Sequence, residues 1–196
     1  MKAYLQNEIS ASIETKRRIL ESDALLDTIA EVAQMCVDVY RRGNKTMLAG
    51  NGGSAADAQH IAAELVGRYG FDRPSIPSLA LTTDTSNLTA IGNDYGYDKV
   101  FSRQLEGMGV EGDLFIGIST SGNSRNIVNA FESAAAKGIA TVALVGRDGG
   151  MMAKMADRAI VVPSHATPRI QESHILIGHI ICDIIEKELF GDGVRG

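Results

Sequence analysis

The chain has 196 residues, 44% hydrophobic and 22% charged, a composition that suits a single domain with a sizeable core and requires no second one. Nineteen basic against 24 acidic residues leave a formal charge of −5 with no basic run, which argues against non-specific nucleic-acid binding. Residues 1–8 hold no apolar signal core, and the longest apolar tract, 175–185, is broken by His179 and Asp183, so neither export nor a membrane span is expected and the cytoplasm is the expected compartment.

Residues 5–20 and 24–40 place apolar side chains at three- and four-residue intervals, with Leu25, Ile29, Val32, Cys36 and Val39 in the second stretch, and read as two amphipathic helices ended by Gly43-Asn44. Beyond them, apolar runs at 46–49, 78–82, 114–119, 141–145 and 159–162 alternate with helical stretches at 54–68, 85–91, 98–108, 126–137 and 169–189. Continuous apolar strands separated by helices predict an α/β three-layer sandwich around a five-stranded parallel sheet. The helical pair (residues 1–43) precedes the sandwich (44–196) and is not needed to cover its faces, so it is expected to pack between subunits. Residues 70–74 read as loop. Cys36 and Cys182 lie in helical patterns without a CxxC partner and read as buried thiols of a reducing compartment.

Two turns follow strands, at the end of the sheet where ligands of open α/β folds sit. After the first strand comes Gly50-Asn51-Gly52-Gly53, where glycine permits positive φ and close approach of a ligand. Ser54 is expected to cap the next helix in a variant of the capping box with Asp57. On that helix His60 and Glu64, four apart, share a face and direct an imidazole and a carboxylate into one space. After the third strand, Ser119-Thr120-Ser121-Gly122-Asn123-Ser124 brings four hydroxyls and a glycine to a helix start, a cradle for a phosphomonoester, with amides and dipole favouring the charge. No Walker-type lysine follows, so the phosphate is expected to be fixed to a small molecule and not transferred. The last helix carries Gln171, Glu172, His174 and His179 within an apolar pattern, and spacing alone does not choose between the two histidines. The residues alone therefore describe a sugar-phosphate-like pocket with a candidate metal and no defined reaction.

Taken together, Gly50-Asn-Gly-Gly-Ser54, His60 with Glu64, Ile91-Gly-Asn-Asp94, Gly117-Ile-Ser-Thr-Ser-Gly-Asn-Ser124 and Arg169-Ile-Gln-Glu172 resemble the sugar isomerase (SIS) domain family, in its phosphoheptose isomerase branch. The likeness covers nearly the whole chain. It implies a flavodoxin-like SIS domain over residues 1–196, a cytoplasmic homotetramer, and conversion of D-sedoheptulose 7-phosphate to D-glycero-D-manno-heptose 7-phosphate through an enediol, the first step toward lipopolysaccharide heptose. By the same resemblance Glu64 and His179 are the acid–base pair, and one Zn²⁺ per subunit is held by His60, Glu64, Gln171 and His179. Substrate contacts fall on Asn51, Gly52, Gly53 and Glu64 near the first turn, and on Asn93 and Asp94. In the second turn they fall on Ser119, Thr120, Ser121 and Ser124, with Gln171 from the last helix. Another SIS branch, the non-enzymatic DnaA initiator-associating proteins, resembles the chain almost as broadly. It lacks the matching acidic and histidine residues, and their presence here favours the enzyme.

Gln171 and His179 lie eight positions apart, about 12 Å along a helix at 1.5 Å per residue. That span is long for one metal with ligand bonds of roughly 2.0–2.2 Å. An obligate homo-oligomer, with sites completed across subunits by the last helix, is therefore expected.

Overall fold

The computed structural model describes residues 1–191. Two long helices, α1 (Lys2–Leu20) and α2 (Asp23–Arg41), precede an alternation of strands and helices. The strands are β1 (Thr46–Gly50), β2 (Ser78–Ala80), β3 (Leu114–Ser119), β4 (Ala140–Gly146) and β5 (Arg158–Val162). Between and after them run α3 (Gly53–Val66), α4 (Thr85–Tyr95), α5 (Ser102–Met108), α6 (Arg125–Ala136), α7 (Gly150–Met155) and α8 (Thr167–Phe190). All pairings are parallel in the order β2-β1-β3-β4-β5, so the predicted five-stranded α/β sandwich is observed.

Strand residues alternate between two apolar layers because successive side chains leave opposite faces. Leu114, Ile116 and Ile118 of β3 join Val32 and Cys36 of α2, Ile61 and Leu65 of α3, and Ile177 and Ile181 of α8. Phe115 of the same strand points the other way and meets Phe131 of α6 edge-on, with ring centroids 5.4 Å apart. A sheet covered on both faces leaves its strands buried throughout, which is why β1 and β3 read as unbroken apolar runs.

Two expectations are corrected and one element is added. The two N-terminal helices do not stand together outside the sandwich: Val32, Ala33 and Val37 of α2 are fully buried in the layer that holds Leu144 and Ile160, so α2 covers the sheet itself and only α1 lies beyond it. The stretch 98–108 is not one helix but a 3₁₀ turn over Tyr97–Lys99 followed by α5. Helix α7 is not expected from the sequence, since its six residues start on the second glycine of a Gly149-Gly150 pair and are too few to show a period. Helix starts elsewhere follow local chemistry: Ser22 and Asp84 cap α2 and α4 by accepting from Leu25 and Asn87 amides. Pro168 occupies the first turn of α8, where a missing amide costs nothing. Cys36 and Cys182 are free and buried, and burial pushes both thiols up to about 12. Among the described residues no helix is long and apolar enough to cross a membrane.

The structure separates the two histidines of α8. His174 is completely buried; its Nε2–H donates to the Val145 carbonyl at 3.1 Å, while Nδ1 has no partner. Burial, partly opposed by that hydrogen bond, lowers its pKa from 6.5 to about 4. The unfolded chain therefore takes up this proton first, and the linked stability is intact above pH 6.5 and is lost as pH falls toward 4. The linkage amounts to about 3 kcal/mol at 1.36 kcal/mol per pH unit. In urea denaturation between pH 7 and pH 4, His174→Gln should show a shallower acid decline of stability than wild type; parallel curves would remove His174 as the source.

Candidate active site

The sheet order places β1 beside β3, with β2 lying outside β1 and β4 outside β3, so the loops after β1 and β3 diverge at the reversal point where α/β sheets bind ligands. Register sets Gly50 opposite Ile118, so both loops leave the sheet at the same height.

The first loop departs from its expected capping. Gly52, with φ of 57°, is the N-cap of α3, and Ser54 lies inside the helix with its amide donating to the Asn51 carbonyl. The helix starts earlier because glycine tolerates the positive φ that serine resists. Asp57 does not complete a capping box either. Its Oδ2 is buried without a partner, and burial, opposed by His60, raises its pKa to about 6. Gly53 leaves room for the Gln171 side-chain amide from α8, which a Cβ there would displace.

The second loop is built as a hydroxyl cluster. Ser124 takes the N-cap position of α6, but its Oγ lies 2.9 Å from Ser119 Oγ and caps nothing. Ser121 Oγ is 3.5 Å from Ser119 and accepts from the Asn123 amide. The loop is braced from behind: Asn123 Oδ1 accepts from the Met151 amide at 3.0 Å, and Gly122 packs so closely on Gly149 that a Cβ would overlap its carbonyl. Ser119, Thr120, Ser121 and Ser124 line a cavity of about 160 Å³, closed by Asn51 and Ser54 from the first loop and by Gln171. Its size suits a small polar head group. A larger hollow of about 420 Å³, bordered by Gly138, Thr141 and Asp157, sits at the opposite, amino-terminal ends of the strands and has no such hydroxyl set.

Asn126, overlooked by sequence reasoning, links the two loops. It is 4% exposed and exchanges two amide hydrogen bonds of 2.9 Å with Asn51, while Tyr97 Oη approaches Asn51 Oδ1 at 3.3 Å. Its helix-start position beside a strand that ends opposite the glycine turn was the available signal.

Two turns further along α3 and α8 from this cavity, the helices bring His60, Glu64 and His179 together, their ligand atoms all within 4.8 Å. His60 Nε2 is 3.0 Å from Glu64 Oε1 and 3.3 Å from His179 Nε2. The Tyr69 ring leans on His179 with centroids 5.6 Å apart. All three members of the trio come from one chain, so α8 brings His179 to His60 and Glu64 of its own α3, and this cluster does not need the last helix of another subunit that the sequence led us to expect. Gln171, two turns earlier on α8, lies at the hydroxyl cavity. Asn93 and Asp94 do not line that cavity. They are exposed on α4 and bond each other at 2.8 Å, and Asp94 borders a separate groove with Tyr95 and Arg103.

A parallel α/β sandwich with a hydroxyl cradle at its switch point and an imidazole–carboxylate cluster on the two helices beyond it defines a protein built for a small phosphorylated ligand. The SIS domain family profile matches residues 9–146. Phosphoheptose isomerase of Sulfurimonas denitrificans is 77% identical over 195 residues, covering 100% of both chains, and that of Aneurinibacillus thermoaerophilus is 60% identical over 97% of this chain and 96% of its own. The solved phosphoheptose isomerase of Neisseria gonorrhoeae superposes with a TM-score of 0.89 at 42% identity, covering 95% of this chain and 98% of that one. The chain belongs to the SIS domain family, in its phosphoheptose isomerase branch.

Hydrogen bonds to a charged group contribute about 1.5–3 kcal/mol each. Ser119→Ala and Ser121→Ala should each weaken binding of inorganic phosphate roughly tenfold or more, measured by calorimetric titration, with α6 intact by circular dichroism; unchanged affinity would show that the hydroxyls are not the cradle.

Proposed function

We infer that the protein is an aldose–ketose isomerase that interconverts D-sedoheptulose 7-phosphate and D-glycero-D-manno-heptose 7-phosphate in heptose biosynthesis. The observation that carries the reading is a carboxylate and an imidazole converging from two helices next to a hydroxyl-lined cavity, in a chain 77% identical to a phosphoheptose isomerase over its full length.

The reaction removes a proton from the carbon beside a carbonyl and returns it to the neighbouring carbon through an enediol, and so needs a base, an acid and support for oxygen charge. The hydroxyls of Ser119, Thr120, Ser121 and Ser124 hold the phosphate, with Asn51, Gly52, Gly53 and Gln171 along the sugar. Glu64 and His179 are the proton-transfer pair. Glu64 turns Oε1 toward His60, which leaves Oε2 for the substrate carbon, while His179 serves the oxygens. Asn93 and Asp94, away from this chain's cavity, belong to the proposed substrate set through the family pattern.

The trio also fits zinc. Two imidazole nitrogens 3.3 Å apart match the edge of a tetrahedron with roughly 2.0 Å metal–nitrogen bonds, and neutral imidazole with carboxylate is an ordinary zinc donor set. His60, Glu64 and His179 would hold the ion; Gln171 enters as the fourth ligand through the family pattern alone, since its side-chain amide lies two turns away against Gly53 at the hydroxyl cavity. Bound there, the ion supplies Lewis-acid polarisation of the substrate's adjacent oxygens. A cytoplasmic homotetramer completes the proposal, supported by Leu5, Ile9 and Ile13, which repeat every four residues on α1 and are each more than half exposed.

Purified protein should isomerise sedoheptulose 7-phosphate, followed by NMR, and lose activity to chelator in step with bound zinc. Glu64→Gln and His179→Gln should each reduce turnover to background at native thermal stability. Subunit exchange between these two variants should restore nothing, because both residues act in one chain. Activity in either variant would remove that residue from the pair, and recovery on mixing would place them on different chains.

A further inference from the structure

The loop after α3 is held by charges that proton transfer does not use. Glu186, on α8 two turns beyond His179, is 1% exposed. Its Oε2 accepts from the Tyr69 amide at 2.8 Å and Arg73 Nε at 3.0 Å, and its Oε1 from the amides of Gly70 at 2.7 Å and Phe71 at 3.0 Å. Burial pushes this carboxyl upward, but the four donors outweigh it and hold the pKa below the usual range. The Arg73 side chain, 2% exposed, gives its other donors to the carbonyls of Glu64 at 2.8 Å, Leu65 at 2.7 Å, Gly67 at 3.1 Å and Pro74 at 3.0 Å. Glu64 and Leu65 lie in the last turn of α3, whose carbonyls have no partner within the helix. Arg73 therefore caps the helix at the turn that carries Glu64, and Glu186 ties that cap to the helix that carries His179.

Desolvation offsets most of the Coulombic gain of such a pair, and an apolar pair of similar volume often stabilises as well. What the pair supplies is register. Its four donors fit only one placement of the loop, and that placement lays the Tyr69 ring on His179 with an interplanar angle of 41°. Tyr69 is 37% exposed, so the core does not need it there.

We propose that Glu186 and Arg73 are positioning residues for the reacting pair: joined to each other, they lock α3 to α8 and hold Tyr69 against His179, which sets the imidazole relative to the Glu64 carboxylate. The proposal rests on the reading of Glu64 and His179 as that pair.

A double-mutant cycle tests it on sedoheptulose 7-phosphate, using folded protein isolated by size exclusion and assayed well below its melting temperature. Tyr69→Leu should lower kcat on the order of tenfold with KM unchanged, and Tyr69→Phe, which keeps the ring, should turn over like wild type. Misplacement by about 1 Å costs on the order of 10²-fold, and Glu186→Gln should lose kcat on that scale, again without a change in KM. Because Glu186 acts through Tyr69, the double variant should lose less than the product of the single losses. If Glu186→Gln does not fold, Arg73→Lys takes its place in the same cycle. Zinc affinity, measured by chelator competition, reads the same positioning without turnover and should fall about 10- to 100-fold in the Glu186 or Arg73 variant. The proposal is overturned if Tyr69→Leu keeps wild-type kcat, if the losses multiply, or if the Glu186 and Arg73 variants lower only the melting temperature while the folded fraction keeps wild-type kcat and zinc affinity. A wild-type enzyme that does not isomerise the sugar would instead overturn the functional reading, and zinc affinity would still decide the positioning.

Discussion

Everything chemical in this molecule depends on how closely α3 and α8 lie together. Each helix carries half of the site, and the distance between packed helix axes is set by the side chains at their contact. Here the contact is tightened at two glycines. Gly53 admits the Gln171 amide at one end, and Gly178, the neighbour of His179, leaves space for Ile61, where a Cβ would sit 2.7 Å from Ile61 Cδ1. At the far end the contact is polar, through Glu186 and the Arg73 cap. Between these points His60 and Glu64 face His179 at hydrogen-bonding distance. A Cβ at either glycine would displace the Gln171 amide or the Ile61 side chain that now fills the space.

The sheet supplies the other half of the arrangement. Reversal of strand order between β1 and β3 opens a crevice that no helix crosses, and the two loops at its rim divide the work. One is short and glycine-rich and lets α8 reach in; the other offers hydroxyls at the start of α6. The Asn51–Asn126 amide pair joins them, so the two loops hold a fixed separation across the cradle through two hydrogen bonds. That fixed separation suits a reaction in which a phosphate anchors a substrate whose proton moves only between neighbouring carbons, since a preorganised anchor lowers the entropic cost of aligning the carbon with its base.

Two histidines five residues apart on one helix show how environment assigns roles. Both interrupt an apolar pattern, and both carry the same ring. His174 points into the sheet, donates to Val145 and is held neutral by burial. His179 lies on the groove side, half-buried, with an imidazole and a carboxylate for neighbours. Five residues turn a helix through 500°, a net 140°, enough to carry one side chain into the core and the other to the site.

Sequence alone determined the sheet, because strands buried on both faces must be apolar throughout and the helices between them must show a 3.6-residue period. It also determined the pairing of His60 with Glu64, since four residues are one helical turn, and the hydroxyl cluster after β3, since its members are nearly consecutive. What depends on contacts between distant segments was decided only by the tertiary structure. Helical spacing left His174 and His179 equivalent, and the physical reason for the choice that the family resemblance implied is the rotation of α8 against α3, which buries one and turns the other to the site. The Asn51–Asn126 pair spans 75 positions and the Tyr69–Glu186 contact 117, separations at which spacing carries no signal. The reassignment of Ser54 from cap to pocket residue followed from Gly52 taking the N-cap and from neighbours its own helix does not contain. Even α2, legible as a helix, showed its function as the cover of the sheet only once the area it buries was in place, because an amphipathic face shows that a partner exists and leaves open which surface it is.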